Sequence, residues 1–335
     1  MVGAVLVVPT VAAAQTAAKK TTTTAKKATT TRAAAAKARA AAAARARASA
    51  KARAAAAARA VREAETPKFK TDLLGNLIPD VRAAAAIVFN PQTNEVLWEE
   101  NSHDPRSIAS LTKLMTAITF IADDPDLDRK VTVVAADTRA ASVTYLRAGE
   151  IVSLSDVLHL TLIASDNAAA RVLARTSEGG SVAFIRRMNE MGKQLGFTSA
   201  NFADPSGLDA RNVASAYDIS HLIAYASADE KLAPVMRKTT HEVRTNRRAV
   251  TVRSTNRLLV QGMDVVGGKT GFISKAGYCL ATMLQIPQGS QVAVVVLGAA
   301  NSTLRFAEVR HLFNWVVGRT AGLDGGEPGA ELIER

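Results

Sequence analysis

Residues 265–299, VVGGKTGFISKAGYCLATMLQIPQGSQVAVVVLGA, predict three consecutive β-strands. The apolar runs VVGGKTGF, GYCLATMLQI and QVAVVVLGA are separated by glycines and by Pro287-Gln288-Gly289. Glycine and proline are typical of the turns that join strands. Such an order predicts an antiparallel meander. An amphipathic segment, TLRFAEVRHLFNWVVGR at 303–319, predicts a helix that closes the domain.

The meander has counterparts earlier in the chain. AAAIVFN (84–90) and EVLWEEN (95–101) predict a hairpin through Pro91-Gln92-Thr93-Asn94. Between these two strand regions the patterns are mostly helical. Helices are predicted from about Ile108 and over 154–165, 166–176, 184–196 and 215–227. Residues 131–153 are expected to be irregular with short strands, and further strands are expected in HEVRT and AVTVRST. We therefore expect an α/β (α+β) fold in which N- and C-terminal segments share an antiparallel sheet and the middle forms a helical subdomain.

The chain has 335 residues and a formal net charge of +12, but this charge is confined to one segment. Residues 16–62 contain thirteen Lys or Arg and no Asp or Glu. Subtracting them from the 42 basic residues leaves 29 against 30 acidic ones, so the remainder is near neutral. The segment is rich in alanine and lacks an apolar stripe, which predicts a solvated, partly helical spacer. The alternative is an electrostatic anchor to a polyanion. It has no interleaved aromatic residues, so we expect no specific nucleic-acid partner.

The first fourteen residues combine a short apolar run with Ala12-Ala13-Ala14. They are similar to the hydrophobic region and cleavage site of a secretory signal peptide, although its basic start is missing. We expect export to the periplasm or cell envelope and no transmembrane span.

Cys279 is the single cysteine, and the five histidines form no metal-ligand spacing, so neither a metal nor a cofactor is expected.

The first chemical motif is Ser110-Leu-Thr-Lys113. Its spacing places both polar side chains on one face of the helix, within reach of each other. Lysine can activate a serine nucleophile if its pKa falls, and a backbone N–H at a helix start can stabilise an oxyanion. On its own the motif more often marks a helix N-terminus with a solvated lysine.

The second motif is S-x-N, and the chain offers three copies: Ser165/Asn167, Ser199/Asn201 and Ser254/Asn256. Ser165 follows an apolar helix at the start of the next helix, so this pair is expected to be held rigidly. The alternative for all three copies is capping or turn chemistry.

The third motif is Lys269-Thr270-Gly271, which lies on a predicted strand among glycines. Glycine in a strand allows another backbone to approach closely, and the strand could pair with an extended peptide. Lys269 and Thr270 could hold a carboxylate. The alternative is a glycine-loosened strand with an exposed lysine.

In the order S-x-x-K, S-D-N, K-T-G, the three motifs resemble those of low-molecular-mass penicillin-binding proteins, the serine D-alanyl-D-alanine carboxypeptidase/endopeptidase family. The resemblance covers about residues 80 to 320 and looks closest to the endopeptidase branch. Beyond the motifs, several segments resemble the family in the family's order: IASLTKLMTA, LRAGEIVSLSDVLHLTLIASDNAAARVLA, FADPSGLD, SAYDISHLI and GGKTGFISKAGYCLA. The resemblance implies a β-lactamase/transpeptidase-like fold.

The resemblance also implies roles for the catalytic residues. Ser110 would attack a D-alanyl carbonyl and form an acyl-enzyme, with Lys113 as its base. Ser165 would pass a proton to the leaving amine, and Asn167 would hold Lys113 and the substrate amide.

Four residues of the third motif are implied in substrate binding: Lys269, Thr270, Gly271 and Phe272. Lys269 and Thr270 would orient the substrate carboxylate, and Lys269 is also expected to lower the pKa of Lys113. The N–H groups of Ser110 and Phe272 would form the oxyanion hole.

The expected partners are peptidoglycan stem peptides, β-lactams as covalent inhibitors and, through the basic segment, anionic envelope polymers.

We expect a signal peptide at 1–14, a basic tail at 15–66, a peptidase domain at 67–322 and a C-terminal tail at 323–335. A class A β-lactamase is disfavoured because its E-x-x-L-N segment is missing, with FADPSGLD in the corresponding region. A non-catalytic wall-binding protein is disfavoured because all three motifs are intact.

Overall fold

A computed structural model describes residues 37–56, 58–59, 62–63, 66–287 and 289–323. The chain divides into two compact units, Met1–Glu63 and Ala64–Arg335. The expected signal peptide at 1–14 lies outside the described residues. In the first unit, helix α1 occupies residues 37–56 and is exposed along its whole length. Alanine, lysine and arginine favour a helix, but without an apolar stripe this one has no face to bury.

The second unit is built on a five-stranded antiparallel sheet with the strand order β11-β12-β13-β3-β4. The N-terminal hairpin therefore joins the C-terminal meander in one sheet, which confirms the expected fold class. β11 lies at one edge and β4 at the other. The bounds of these strands are β3 Ala85–Asn90, β4 Glu95–Glu100, β11 Val265–Ile273, β12 Gly277–Gln285 and β13 Gln291–Ala299.

The central strand β13 explains why its sequence shows no polar alternation. Ala293, Val295 and Leu297 belong to the core cluster on one face of the sheet. Val292, Val294 and Val296 belong to the cluster on the other face. A strand buried on both faces reads as a continuous apolar run.

Helices cover both faces of this sheet. The closing helix α9, Ser302–Leu323, contributes Phe306, Val309 and Leu312 to one core cluster. The larger cluster on the opposite face contains residues from the helical middle of the chain. The bounds of these helices are α2 Thr112–Ala122, α3 Ala135–Thr138, α4 Leu154–Leu162, α5 Asn167–Thr176, α6 Gly180–Gln194, α7 Ala216–Ala228 and α8 Leu232–Met236.

The spacing of Leu111, Leu114, Met115 and Ile118 predicts an amphipathic helix, but α2 is buried on all its faces. A 3₁₀ turn over Ala109–Leu111 precedes it, and its residues from Thr112 to Ile121 are all buried. Polar positions of the helix find internal partners, as where the Thr116 hydroxyl donates to the Pro205 carbonyl at 2.7 Å. The helix runs through the core rather than along a surface, so every face is covered.

Four two-stranded pairings complete the unit: β1 with β2, β5 with β8, β6 with β7, and β9 with β10. The predicted strands after residue 240 are real, but β9 and β10 pair only with each other instead of joining the meander. The chain between 131 and 153 contains the short helix α3 as well as short strands, and α6 begins four residues before the predicted start at 184. The bounds are β1 Phe69–Thr71, β2 Leu77–Pro79, β5 Arg106–Ser107, β6 Lys130–Thr132, β7 Ile151–Ser153, β8 Val213–Ala214, β9 Thr240–Arg244 and β10 Ala249–Arg253.

Among the helices of the described residues, none combines the length and the apolar character that crossing a bilayer requires.

Candidate active site

Ser110 and Lys113 lie at the junction of the 3₁₀ turn and α2. Lys113 is fully buried, Ser110 is half-buried, and the Lys113 amine is 2.9 Å from the Ser110 hydroxyl oxygen. Ala109, just before the serine, has a φ of +48°, which is uncommon for a residue with a side chain. The expected pairing of a hydroxyl with an amine is therefore present, and it is enclosed rather than solvated.

The Lys113 amine has two further partners, and both can only accept hydrogen bonds. It donates to Asn167 Oδ1 at 2.7 Å and to the Ser206 carbonyl at 2.5 Å. A neutral amine has two N–H bonds and one lone pair. With both N–H bonds used on these acceptors, the lone pair is left facing the Ser110 hydroxyl, as a general base requires.

Burial of the amine lowers the pKa of Lys113 to about 7. The negative charges of Asp166 and Asp204 oppose this shift, whereas Arg171 adds to it. The expectation that Lys269 is the main cause of this shift is therefore wrong. In the structure burial is the main cause, and the pKa of Lys269 itself is lowered by burial and by the charges of Lys113 and Arg305.

Ser165 and Asn167 are held in the connection between α4 and α5. The Asp166 side chain caps α5 by accepting the Ala169 N–H at 2.9 Å, and it also accepts the Tyr145 N–H at 2.5 Å. Asn167 is fixed from the other side because its Nδ2 donates to the Ala141 carbonyl at 2.6 Å. Ser165 adopts a φ of +58°. These contacts point both side chains at the two buried lysines.

The three S-x-N copies are separated by their surroundings. Only the first, among these three, contacts the lysines. Ser199 hydrogen-bonds Asp218, and Asn201 donates to the Arg211 carbonyl. In the third copy the Ser254 hydroxyl oxygen accepts the Asn256 N–H. The third copy thus forms the local turn that was its alternative, whereas Ser199 and Asn201 of the second copy contact residues 19 and 10 positions away.

Lys269 and Thr270 lie on the edge strand β11. Lys269 is 1% exposed, and its amine donates to Ser165 Oγ at 2.7 Å and to the Thr270 carbonyl at 2.8 Å. The alternative of an exposed lysine on a loose strand is therefore wrong. Thr270 is also buried, and its hydroxyl is 2.7 Å from the hydroxyl of Thr255.

Gly271 lets β11 press against the serine segment. A Cβ at Gly271 would lie 2.9 Å from the Ile108 carbonyl oxygen and 3.1 Å from the Ser110 nitrogen. The next residue, Phe272, has a side chain that is 49% exposed and stacks on Tyr278 with ring centroids 4.2 Å apart. The close approach brings the Ser110 backbone beside the strand that carries the Phe272 N–H, as an oxyanion hole made by these two groups would need.

The Ser206 carbonyl is a group of the site that the sequence motifs do not indicate. Asp204 shapes this loop by accepting the backbone N–H groups of Ser206, Gly207 and Asp209 at 2.8, 2.5 and 3.0 Å. Gly207 has a φ of +80°, and a Cβ there would lie 2.0 Å from the Ala109 carbonyl oxygen. In the sequence FADPSGLD only resembles a segment of the family, because a backbone carbonyl leaves no specific signal.

Arg305 on α9 is a second residue near the site that the motifs do not indicate. Its guanidinium donates to the carbonyls of Gly271 at 3.0 Å and Cys279 at 3.3 Å, and it lies over the rings of Tyr278 and Phe306. It therefore fastens β11 to β12 behind the site. A mostly buried arginine on an apolar helix face could have drawn attention, but its target carbonyls could not be read from the sequence.

Within the part of the chain that the structure describes, no group of three or more His, Cys, Asp or Glu side chains is arranged to hold a metal ion.

The chain is similar in sequence to known proteins of one family. A family model described as D-alanyl-D-alanine carboxypeptidase matches residues 74–301. The chain is 32% identical over 244 residues to the D-alanyl-D-alanine endopeptidase of Escherichia coli K12, covering 71% of this chain and 78% of that protein. To the D-alanyl-D-alanine endopeptidase of Pseudomonas aeruginosa it is 31% identical over 243 residues, with the same coverage.

Two solved structures show the same fold. The D-alanyl-D-alanine carboxypeptidase of Mycobacterium tuberculosis H37Rv superposes with a TM-score of 0.68 at 24% identity, covering 74% of this chain and 95% of that one. The Streptomyces K15 DD-transpeptidase superposes with a TM-score of 0.67 at 25% identity, covering 71% and 97%.

Proposed function

Because the chain belongs to the D-alanyl-D-alanine carboxypeptidase family of serine peptidases, we propose that Ser110 is the nucleophile with which it cleaves D-alanyl-D-alanine peptides. The observation that carries this assignment is the 2.9 Å contact between Ser110 Oγ and a fully buried Lys113 amine. A buried lysine with its pKa near 7 is a competent base at neutral pH.

Acylation begins when Lys113 takes the Ser110 proton. The serine oxygen attacks the D-alanyl carbonyl carbon, and the N–H groups of Ser110 and Phe272 stabilise the resulting oxyanion. Two fixed acceptors, Asn167 Oδ1 and the Ser206 carbonyl, keep the amine in place throughout. The serine proton is then held on Lys113.

Collapse of the tetrahedral intermediate needs a proton on the leaving amine. Ser165 Oγ accepts from Lys269, so the Ser165 proton is not used in that contact and is free to pass to the leaving nitrogen. Ser165 then regains a proton from Lys113. The scissile C–N bond breaks, and the amine product leaves. Lys113 then takes a proton from a water molecule that attacks the acyl-enzyme, and hydrolysis of the ester restores Ser110.

The K-T-G strand supplies the substrate-binding groups. β11 is an edge strand, so an extended peptide can pair with it. Lys269 and Thr270 face the leaving-group side, where the leaving residue carries a carboxylate, and Gly271 allows the close approach described above. The expected substrates are peptidoglycan stem peptides, and the expected covalent inhibitors are β-lactams, which present an acyl bond to the same nucleophile.

The test is covalent labelling with a fluorescent penicillin. Wild-type protein should be labelled, and Ser110→Ala should not be labelled although it folds. Ser199→Ala, which alters a serine of the second S-x-N copy, is the matched control and should be labelled as wild type. Equal labelling of Ser110→Ala and wild type would refute the assignment.

A β-lactamase activity is disfavoured by the way Asp204 is used. A class A β-lactamase uses a carboxylate to activate the water that hydrolyses its acyl-ester. In the loop that corresponds to the missing E-x-x-L-N segment, the Asp204 carboxylate is taken up by three backbone N–H groups. We expect slow release of the penicilloyl group, and rapid penicillin hydrolysis would reverse this conclusion. Turnover of a D-alanyl-D-alanine peptide separates an enzyme from a wall-binding protein without activity.

The preference between a linear terminus and a cross-link depends on the shape of the leaving-group side. Among the relatives compared above, the two curated sequences are named endopeptidases. We propose that cross-linked muropeptides are cleaved, and incubation with purified cross-linked muropeptides and with a linear pentapeptide compares the two reactions directly.

The basic segment, residues 16–62, is proposed to bind anionic polymers of the cell envelope. The apolar N-terminus would direct export of the protein to the envelope. The proposal is supported by the thirteen Lys and Arg residues of 16–62 and by the complete exposure of α1. Deletion of residues 16–66 should weaken sedimentation with purified sacculi at low salt, and wild-type binding should itself fall as salt rises. Unchanged binding by the deletion variant would leave the segment as a spacer.

A further inference from the structure

Thr255 contacts the K-T-G motif from outside it. Its hydroxyl oxygen is 2.7 Å from that of Thr270, although the two residues are fifteen positions apart. Thr255 lies just beyond β10 and is half-buried, whereas Thr270 is buried. The contact joins the segment after the β9–β10 hairpin to the strand that carries the proposed carboxylate site.

The segment around Thr255 is fixed by its neighbours on both sides. The Thr255 N–H donates to the Ile163 carbonyl at 3.0 Å, two residues before Ser165. Asn256 is buried, and its Nδ2 lies only 2.5 Å from where a Cβ on Gly268 would be. Thr255 is therefore locked between the end of α4 and β11, and its hydroxyl cannot easily leave Thr270.

A pair of hydroxyls has a defined donor count. Each hydroxyl carries one proton and can accept through its oxygen, so one proton is used within the pair and one is left to donate outward. If a carboxylate binds Thr270, the Thr270 proton points to it and the Thr255 proton points to the Thr270 oxygen. Each bond in such a chain polarises the next and strengthens it.

We propose that Thr255 is a positioning residue that turns the Thr270 hydroxyl proton toward a free carboxylate on the residue following the scissile bond. The inference rests on the proposed function and refines its specificity. A terminal D-alanine carries such a carboxylate next to the leaving amine, and so does a diaminopimelate linked through its D-centre amine. Thr255 therefore favours cleavage of peptides with either of these leaving groups over peptides whose leaving residue has an amidated carboxylate.

The test compares two substrates on four proteins. The substrates are a synthetic D-alanyl-D-alanine peptide with a free terminal carboxylate and the same peptide with a terminal carboxamide. The proteins are wild type, Thr255→Val, Thr255→Ser and Thr251→Val. Valine keeps the shape of threonine but removes the hydroxyl, serine keeps the hydroxyl, and Thr251 is an exposed threonine on β10 that serves as the matched control.

Thr255→Val should lower kcat/KM for the carboxylate peptide about three- to tenfold, because a hydrogen bond to a charged group is weakened but not removed. Its kcat/KM for the carboxamide peptide should change less than about twofold, as should both values for Thr255→Ser and Thr251→Val. A general loss of structure would lower kcat/KM for both substrates together. The ratio of the two kcat/KM values therefore reports carboxylate recognition alone.

Equal loss on both substrates, no loss on either, or failure of Thr255→Ser to restore the wild-type ratio would overturn the inference. These outcomes leave the proposed function intact, since wild type still turns over the carboxylate peptide. A wild type that neither hydrolyses that peptide nor reacts with penicillin would overturn the proposed function, and this inference with it.

Discussion

The chemistry of the site depends on two lysines that are withdrawn from water. Lys113 and Lys269 are 0% and 1% exposed, and burial is the first cause of the lowered pKa of each. A buried ammonium is costly unless it is neutralised or well solvated by the protein. The same burial that weakens the folded state therefore produces a base that works near neutral pH.

The pH dependence of acylation should follow the ionisation of Lys113. Below a pKa of about 7 the amine is protonated and has no lone pair for the Ser110 proton. The second-order rate of penicillin acylation should rise about tenfold per pH unit up to the pKa and level off above it. Stopped-flow labelling between pH 5 and 9 measures this limb. A rate that falls over the same range would contradict the role of Lys113 as base.

Replacing Asp166 with asparagine should move this limb to lower pH. The Asp166 charge raises the pKa of Lys113, so its removal lowers that pKa further. Asp128→Asn, at an exposed aspartate, is the control and should leave the limb in place. Thermal unfolding of both variants reports separately on the α5 cap. A limb that moves upward in Asp166→Asn is the opposite of what the electrostatics require.

Gly207 should tolerate no side chain, and Gly262 supplies a control with nearly the same backbone. Their φ values are +80° and +76°, but a Cβ at Gly207 would lie 2.0 Å from the Ala109 carbonyl oxygen, whereas Gly262 has open space within 4 Å. Gly262→Ala should cost about 1–2 kcal/mol for its left-handed backbone. Gly207→Ala should cost about 1–3 kcal/mol more from the clash. It should also slow acylation, because the Ser206 carbonyl moves.

Urea unfolding gives the stability difference between these two variants, and penicillin labelling gives the rates. Equal stability of the two would mean that the 204–209 loop moves away from Ala109 without cost.

At the scale of elements, β11 combines a paired side with an open edge. Its pairing with β12 fixes the position of Lys269, and its glycines allow contact with the 3₁₀ turn that carries Ser110. α9 holds this strand from behind through Arg305. The strand sequence alone predicts the strand, but it does not show that a helix 34 residues further along fastens it.

Arg305→Met should destabilise the fold and impair acylation together. The carbonyls of Gly271 and Cys279 would lose a charged donor in a buried place, at a cost of about 1–3 kcal/mol. Arg319→Met removes an exposed arginine that lies over Trp315 on the same helix, and it should cost less than about 1 kcal/mol. Calorimetry and penicillin labelling of the two variants test this. Full stability of Arg305→Met with wild-type labelling would show that β11 does not depend on α9.

At the scale of the whole molecule, the candidate active site and the excess of positive charge lie in different units. All residues of both core clusters and all of the site lie within Ala64–Arg335. The thirteen Lys and Arg residues of 16–62 all lie in Met1–Glu63, where the described helix is exposed.

Deletion of residues 1–63 should leave the rate of penicillin acylation within about twofold of that of the full chain, because the site and both core clusters lie in Ala64–Arg335. The melting temperature of the catalytic unit should be unchanged within a few degrees. Labelling and calorimetry of the deletion variant at matched salt provide the measurement. A large loss of acylation would show that the first unit takes part in the site.

The sequence by itself determined the class of protein and most of its elements. Apolar periodicity is a local property, so it predicted β13 within its observed bounds and the α7 helix to within a residue or so. The order of the three motifs is also written in the chain, and it carried the family resemblance. Low-complexity composition separated the charged segment from the neutral remainder in the same way.

Only the tertiary structure decided which groups meet. Lys113 contacts Asn167 and Ser206 across 54 and 93 positions, and Lys269 contacts Ser165 across 104. Packing of helices on a sheet sets those distances, and burial, which lowers the pKa of both lysines, is a property of everything around them. A carbonyl such as that of Ser206 exists at every residue, and a threonine such as Thr255, just beyond a strand, carries no specific signal in the sequence. Their roles arise from position in the fold, because a hydrogen bond requires atoms within about 3 Å of each other rather than neighbours in sequence.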